Sequence, residues 1–180
     1  MIDLKDLGTF ESVPEIVVDI VKGNIVALEN ALADGWDIHK PIQLGKHSEY
    51  SPLELALVMN CLPSVQWLVE HEANLNEKEN PSFLLAVRYG NKELKDYIVA
   101  KGANIHALNR VKVDAFQAAL YGKKYENLQQ IHDLGHTVQK YGGKAFRNAI
   151  TDNNYKVLDF FVHSGVDINY NKPDSVYPFK

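Results

Sequence analysis

Residues 51–76, SPLELALVMNCLPSVQWLVEHEANLN, set the pattern of the chain. The stretch holds two short segments of apolar periodicity, which residues 60–64 (NCLPS) separate. Similar units precede and follow it. The position of Ala56 in the unit, which we call the register position, is occupied in chain order by Asp19, Ala56, Ala86, Ala119 and Ala149. These positions are 37, 30, 33 and 30 residues apart, so a unit of constant length alternates with connectors of variable length, as in a repeat protein.

Two further positions of the unit indicate how each copy folds. Three residues before the register position stands a large apolar residue, namely Ile16, Leu53, Phe83, Phe116 and Phe146. Sixteen residues after it stand Gly35, Glu72, Gly102, Gly135 and Gly165. The alanine at the register position of the last four copies is small and lets neighbouring helices approach closely. The glycine sixteen residues later suits the left-handed conformation that ends many helices. The pattern therefore predicts five helix–turn–helix units that bury one continuous core between them.

The unit resembles the ankyrin repeat. Residues 51–56 (SPLELA) are similar to its T-P-L-H-x-A signature, and residues 102–105 (GANI) and 165–169 (GVDIN) are similar to its closing segment. Asp19 and Glu72 depart from the family pattern. The resemblance covers about residues 14–170. It implies an all-α solenoid of five repeats with β-hairpin-like finger connectors, and a concave groove, formed by the first helices and the finger tips, that binds a partner.

The spacing divides residues 1–180 into one repeat domain. We expect an N-terminal cap at residues 1–13, repeats at about 14–49, 50–79, 80–112, 113–142 and 143–172, and the start of a truncated sixth repeat at 173–180. The first connector is the longest and predicts an elongated hairpin. Glu72 replaces the helix-ending glycine, which predicts that Glu72→Gly raises stability. Phe160 and Phe161 suit an exposed chain end poorly, which predicts a longer array or end-to-end association.

Composition limits the classes of partner and compartment. The 180 residues are 46% hydrophobic and 23% charged, with a formal net charge of −4. Lysine and arginine are scattered without a basic stripe, so we expect no nucleic-acid partner. Cys61 is the single cysteine and fits a reducing compartment. Because neither a signal peptide nor a membrane-spanning apolar run stands out, we expect a cytoplasmic protein without a membrane partner.

The sequence does not predict an enzyme, a cofactor or a metal site. His39 and His106 occupy the same place in different repeats, and His132 and His136 flank the glycine that ends a helix, so we expect polar surface histidines. Cys61 has no base at a suitable spacing. The triplet at residues 142–144 (GGK) lacks the spacing of a phosphate-binding loop.

The positions that vary between repeats predict the partner-binding surface. By the family resemblance, Met59, Arg88, Tyr89 and Tyr121 lie near the centre of the groove. The connectors add His47, Glu49, Tyr50, Lys78, Arg110, Lys112 and Tyr141. Tyrosine and arginine are favoured at interface hot spots, and methionine adapts to irregular partners. The competing interpretation is a set of scattered surface residues, with the tyrosines half packed against a neighbouring repeat.

The sequence therefore predicts a non-catalytic module that binds another protein, whose identity it does not define. Two alternatives of the same kind remain. One is an inhibitor or immunity-type protein that blocks an enzyme or toxin, which the long first connector would suit. The other is a bacterial effector directed at a host, a class that the resembled family also includes. An enzyme acting on a small molecule is disfavoured, because no convergent acid, base and nucleophile stand out.

Overall fold

The structure, a computed structural model, describes residues 13–44 and 49–169. Most of these residues are helical, which confirms the all-α class. In chain order the helices are α1 (Glu15–Lys22), α2 (Ile25–Ala33), α3 (Pro52–Val58), α4 (Leu62–Glu70), α5 (Ser82–Tyr89), α6 (Lys92–Ala100), α7 (Ala115–Tyr121), α8 (Asn127–Asp133), α9 (Val138–Tyr141), α10 (Gly143–Thr151) and α11 (Tyr155–His163). The N-terminal cap, His47 and the start of a sixth repeat lie outside the described residues. Within those ranges, no helix combines the length and the apolar character that crossing a bilayer requires.

The helices pack as consecutive pairs. Within a pair, α1 packs on α2, α3 on α4, α5 on α6, α7 on α8 and α10 on α11. The first helices of successive pairs also pack on one another, in the order α1, α3, α5, α7 and α10. The alanines at the register positions of the last four pairs are at most 1% exposed, because the neighbouring first helices close over them. The core is thus one continuous cluster that runs through all five pairs.

The second helix of every pair ends with the same backbone hydrogen bonds. The residue sixteen after the register position has a positive φ in each copy, from 66° at Glu72 to 97° at Gly135. At Glu72, the amide donates to the Val69 carbonyl at 3.2 Å, and the next amide, of Ala73, donates to the Leu68 carbonyl at 3.0 Å. This is the Schellman arrangement that satisfies the last carbonyls of a helix. Glu72 is therefore held in the left-handed region that favours glycine.

Two of the first helices begin with a capping box. The Ser51 hydroxyl accepts from the Glu54 amide, and the Glu54 carboxylate accepts from the Ser51 amide at 2.8 Å. Asp114 and Gln117 repeat the arrangement at the start of α7. Asp114 is only 5% exposed, and this burial raises the pKa of its carboxyl group to about 6. Because these side chains satisfy backbone amides that no helical carbonyl reaches, they fix where α3 and α7 start.

The connectors differ more than the sequence predicts. The first contains the strands β1 (Ile42–Gln43) and β2 (Glu49–Tyr50), which pair antiparallel, so a hairpin is present there. The fourth connector is the short helix α9, and the prediction of a hairpin-like finger is wrong at this place. In the other four closing segments, the side chain eighteen residues after the register position accepts from the amide two residues further on; these residues are Asp37, Asn74, Asn104 and Asp167. Thr137 stands there in the fourth copy, so no such turn competes with a helix that begins at Val138.

The last helix pair exposes an apolar face, whereas the equivalent face of each earlier pair is covered by the pair that follows it. Phe161 is completely buried and Phe160 is partly buried against the core, so these two residues do not supply the exposed apolar surface on which the expectation of a longer array was based. Ile150 and Ile168 are instead 50% and 68% exposed. Their counterparts in the first four pairs are buried or half-buried, because the following pair packs on them.

Candidate partner-binding surface

Three of the residues predicted for the centre of the groove come together on α5 and α7. Arg88 and Tyr89 end α5, and Tyr121 ends α7, the next first helix. The guanidinium carbon of Arg88 lies 5.2 Å from the centre of the Tyr89 ring and 5.8 Å from the centre of the Tyr121 ring. At these distances a guanidinium is attracted by the π faces of both rings. We call Arg88, Tyr89 and Tyr121 the aromatic clamp.

The clamp forms because α5 and α7 approach each other closely at their C-terminal ends. Gly122 follows α7, and a Cβ atom at this position would lie 2.3 Å from the carbonyl oxygen of Arg88. Only a glycine allows the two backbones to come this near, and the approach carries Tyr121 to the Arg88 side chain. The sequence shows Gly122 as a turn residue, and its role in positioning the clamp was not predicted.

The clamp is partly buried and partly open. Arg88 and Tyr89 are half-buried, whereas Tyr121 is 48% exposed. The Nε atom of Arg88 is buried and has no hydrogen-bond partner among residues 13–44 and 49–169. Packing against the rings therefore holds the arginine, and the Tyr121 ring offers exposed area to a ligand.

Met59 extends the surface on the other side of α5. It follows α3, the helix that packs against α5, and it is half-buried. Met59 and Tyr89 both stand three residues after the register position, so they occupy equivalent places on neighbouring helices. Tyr121 stands one residue earlier in its copy. Met59 and the clamp thus lie at the same end of α3, α5 and α7.

The connector residues add a rim of mixed charge. Glu49 and Tyr50 form β2, with Glu49 exposed and Tyr50 half-buried. Lys78 is exposed, and its neighbour Glu79 lies 3.6 Å from Arg110 of the next connector. Both partners of that ion pair are more than half exposed, so the pair contributes little to stability.

Lys112 joins the third connector to the last helix pair. Its backbone has a φ of 62°, and its side chain is exposed. The Lys144 ammonium of α10 donates to the Lys112 carbonyl at 3.1 Å. The contact ties the connector to α10 and leaves the Lys112 side chain at the rim.

Tyr141 lies in α9 and packs against a buried histidine. Its ring is 4.0 Å from the His136 ring and nearly parallel to it, at 10°. His136 is fully buried, and its Nδ1 lies 3.2 Å from the Nδ1 of exposed His106. Burial lowers the pKa of His136 to about 4, and electrostatic interactions with His106 and Lys140 act in the same direction.

The prediction of surface histidines is therefore wrong for His136. The amide of His136 donates to the Ile131 carbonyl and completes the end of α8, so its side chain turns toward the core. The other four copies have Trp36, Ala73, Ala103 and Val166 at the same place. These apolar residues at the equivalent position were the sequence signal that could have predicted the burial of His136. Within the part of the chain that the structure describes, no three His, Cys, Asp or Glu side chains converge on a position that could hold a metal ion.

Comparison with known proteins adds no relative to these observations. No protein-family model matches the chain, and no curated protein matches its sequence.

Proposed function

We propose that the chain is an ankyrin-like repeat protein, without catalytic activity, that binds another protein through the aromatic clamp and Met59. The observation that carries this proposal is the contact of the Arg88 guanidinium with the rings of both Tyr89 and Tyr121, which come from two neighbouring helices. Tyrosine and arginine are among the residues that are enriched at binding hot spots.

The helix arrangement supports the ankyrin-like part of the proposal. Five helix pairs stack through their first helices, and in the last four pairs the alanine at the register position lies where the first helices meet. Each second helix is followed at the same position by a residue in the left-handed conformation, with the same two hydrogen bonds. A repeat unit that recurs with this fidelity presents side chains at regular intervals along one face.

The mechanism of binding is presentation of side chains that are already ordered. The rings and the core hold Arg88 in place before a partner arrives, so little rotamer entropy remains to be lost. Tyr121 adds an exposed ring with few rotatable bonds. A suitable partner segment carries a carboxylate or a backbone carbonyl for the guanidinium and an apolar side chain for the Tyr121 ring and Met59.

The test compares variants of the clamp with a matched variant outside it. The chain serves as bait in extracts, and the affinity of the captured protein is then measured by titration calorimetry. We expect Arg88→Lys and Tyr121→Ala each to weaken binding by roughly tenfold or more, because hot-spot truncations cost about 2 kcal/mol. Lysine keeps the charge but loses the planar contact with the rings.

Tyr155→Ala provides the control. Tyr155 is 76% exposed on α11, a second helix, so its truncation removes an exposed tyrosine away from the clamp. We expect this variant to bind like the unchanged chain. Equal binding by all three variants would show that the partner uses a different surface.

A further inference from the structure

A second feature of the molecule is a cleft between α6 and α8. Its volume is about 750 Å³. It is lined by the start of α6 with the two residues before it, and by α8 with the residues that flank α8. Among its lining side chains are Lys95 and Asn127, which are 4% and 3% exposed. The cleft is built from second helices, whereas the aromatic clamp lies on first helices.

Lys95 occupies a position that is otherwise apolar. Nine residues after the register position, the five copies have Leu28, Val65, Lys95, Leu128 and Leu158. Leu28, Val65 and Leu128 are buried in the core. A lysine at such a place loses much of the hydration of its ammonium group, which is unfavourable for its charged form. The core packing of the fold does not require an amine at this position.

The hydrogen bonds around Lys95 hold the amine without compensating its charge. Lys95 Nζ donates to Asn127 Oδ1, a neutral acceptor. Asn127 is fixed in turn, because its Nδ2 donates to the Val87 carbonyl at 2.8 Å. A carboxylate in the place of the amide would favour the ammonium form much more strongly. Asn127 therefore holds the Lys95 amine at the cleft, and its amide oxygen can accept a hydrogen bond from the neutral amine as well as from the ammonium form.

The surrounding charges leave burial as the dominant influence on Lys95. Burial lowers the pKa of its ammonium group. Lys124 and Lys92 lower the pKa further, whereas Glu126 and Asp96 raise it. A lowered pKa leaves a larger fraction of the amine unprotonated at any given pH, and the unprotonated amine is the form that attacks carbonyl compounds to make imines.

We propose that this cleft is a covalent modification site, at which Lys95 captures small aldehydes as an imine. The unprotonated Nζ donates its electron pair to the carbonyl carbon of the aldehyde. The carbonyl oxygen then leaves with the two protons of the amine as water, and a carbon–nitrogen double bond replaces the carbon–oxygen double bond. The step needs no oxidant or reductant. The cleft admits the aldehyde, and Asn127 keeps Nζ at its wall.

Reductive methylation of the unchanged chain tests this proposal directly. Formaldehyde is the probe, cyanoborohydride fixes each imine by hydride transfer, and peptide mass spectrometry gives the labelling rate of every lysine between pH 6 and 10. Lys156, which is exposed on α11, is the internal control. We expect Lys95 to be labelled faster than Lys156 at neutral pH. We also expect its rate to level off at a lower pH than the rate of Lys156.

Two variants test the nucleophile and its electrostatic environment one at a time. Lys95→Arg keeps the positive charge and should lose the fast labelling phase completely. Lys124→Gln removes a neighbouring positive charge and should move the Lys95 profile to higher pH, while the profile of Lys156 stays in place. A Lys95 that is unreactive in the folded chain, or that follows the same pH profile as Lys156, would overturn the proposal.

Discussion

The substitution Glu72→Gly tests how the second helices end. Glu72 has a φ of 66°, and its side chain is exposed. The four equivalent positions are glycines, with φ between 79° and 97°. Among the second helices of the five pairs, only α4 therefore ends in a left-handed residue that carries a Cβ atom. We expect Glu72→Gly to increase the free energy of unfolding.

The magnitude follows from two opposing contributions. A residue with a side chain in the left-handed region costs roughly 1–2 kcal/mol, which the substitution removes. Glycine also increases the conformational entropy of the unfolded chain, which offsets about 0.5–1 kcal/mol of the gain. The net stabilisation is therefore about 0–1.5 kcal/mol. In a domain of this size, 1 kcal/mol corresponds to a change in Tm of roughly 2–4 °C.

Two further variants make the measurement specific. Glu72→Ala removes the charge and the long side chain but keeps Cβ, so we expect it to gain much less stability than Glu72→Gly. Gly102→Ala is the reverse experiment at an equivalent site. A Cβ atom at Gly102 would have no heavy atom within 4 Å, so packing adds nothing to the effect. The same two contributions with opposite signs predict a net loss of at most about 1.5 kcal/mol.

Urea unfolding followed by circular dichroism at 222 nm gives the free energies, and calorimetry gives the melting temperatures. The three variants are compared with the unchanged chain in the same buffer. Equal stabilisation by Glu72→Gly and Glu72→Ala would show that the side chain, not the backbone, causes the strain. A Glu72→Gly variant that is less stable than the unchanged chain would refute the reasoning.

Three other substitutions have outcomes that can be derived from contacts. Asp114 is buried with a raised pKa of about 6, so its carboxyl group binds a proton more tightly in the native state than in the unfolded state. Ionisation of Asp114 therefore lowers the free energy of unfolding, and this loss is complete above pH 6. Asp114→Asn keeps the capping acceptor; it should raise stability at pH 7.5 by up to about 3 kcal/mol and flatten the pH dependence between 4 and 6, whereas an unchanged urea profile would contradict this. Ser64→Ala removes the hydroxyl that donates to the Ile20 carbonyl at 2.6 Å inside the core, and should cost about 1–3 kcal/mol in urea unfolding; a loss below about 0.5 kcal/mol would mean that water replaces the bond. Gly122→Ala should cost about 1–3 kcal/mol and weaken partner binding, because its Cβ atom meets the Arg88 carbonyl; a variant of full stability and affinity would show that the helices need not approach so closely.

The sequence predicted the helices well because each unit carries its own boundaries. Pro52 and the Ser51–Glu54 capping box begin α3, and a left-handed residue ends its partner helix α4. These signals are local, and five copies in one register reinforce one another. The resemblance to the ankyrin repeat also led to the expectation that Arg88, Tyr89 and Tyr121 would share a surface.

Features that depend on exceptions to the repeat were not predicted. A common register predicts only what the copies share. Lys95 and His136 each replace an apolar residue that the other copies have at the equivalent position, so the register does not predict them. The α9 helix arises because Thr137 replaces an Asx residue, a small difference in a weakly patterned connector. Contacts such as the one between Gly122 and the Arg88 carbonyl depend on the exact approach of two helices, which spacing alone does not determine.

Both proposed sites depend on the same junction between the third and fourth helix pairs. The Val87 carbonyl accepts from Asn127, the residue that also holds the Lys95 amine. The next carbonyl along α5, that of Arg88, is the one that only a glycine at 122 can approach. Ser64 makes the equivalent bond to the Ile20 carbonyl between the first and second pairs, so the Asn127 bond is a structural link that the cleft also uses. Because Asn127 contacts Lys95 directly and reaches the clamp only through α5, Asn127→Ser, which shortens the side chain but keeps a donor, should disturb the Lys95 labelling profile first. Changes in partner affinity should follow only if α5 moves relative to α7.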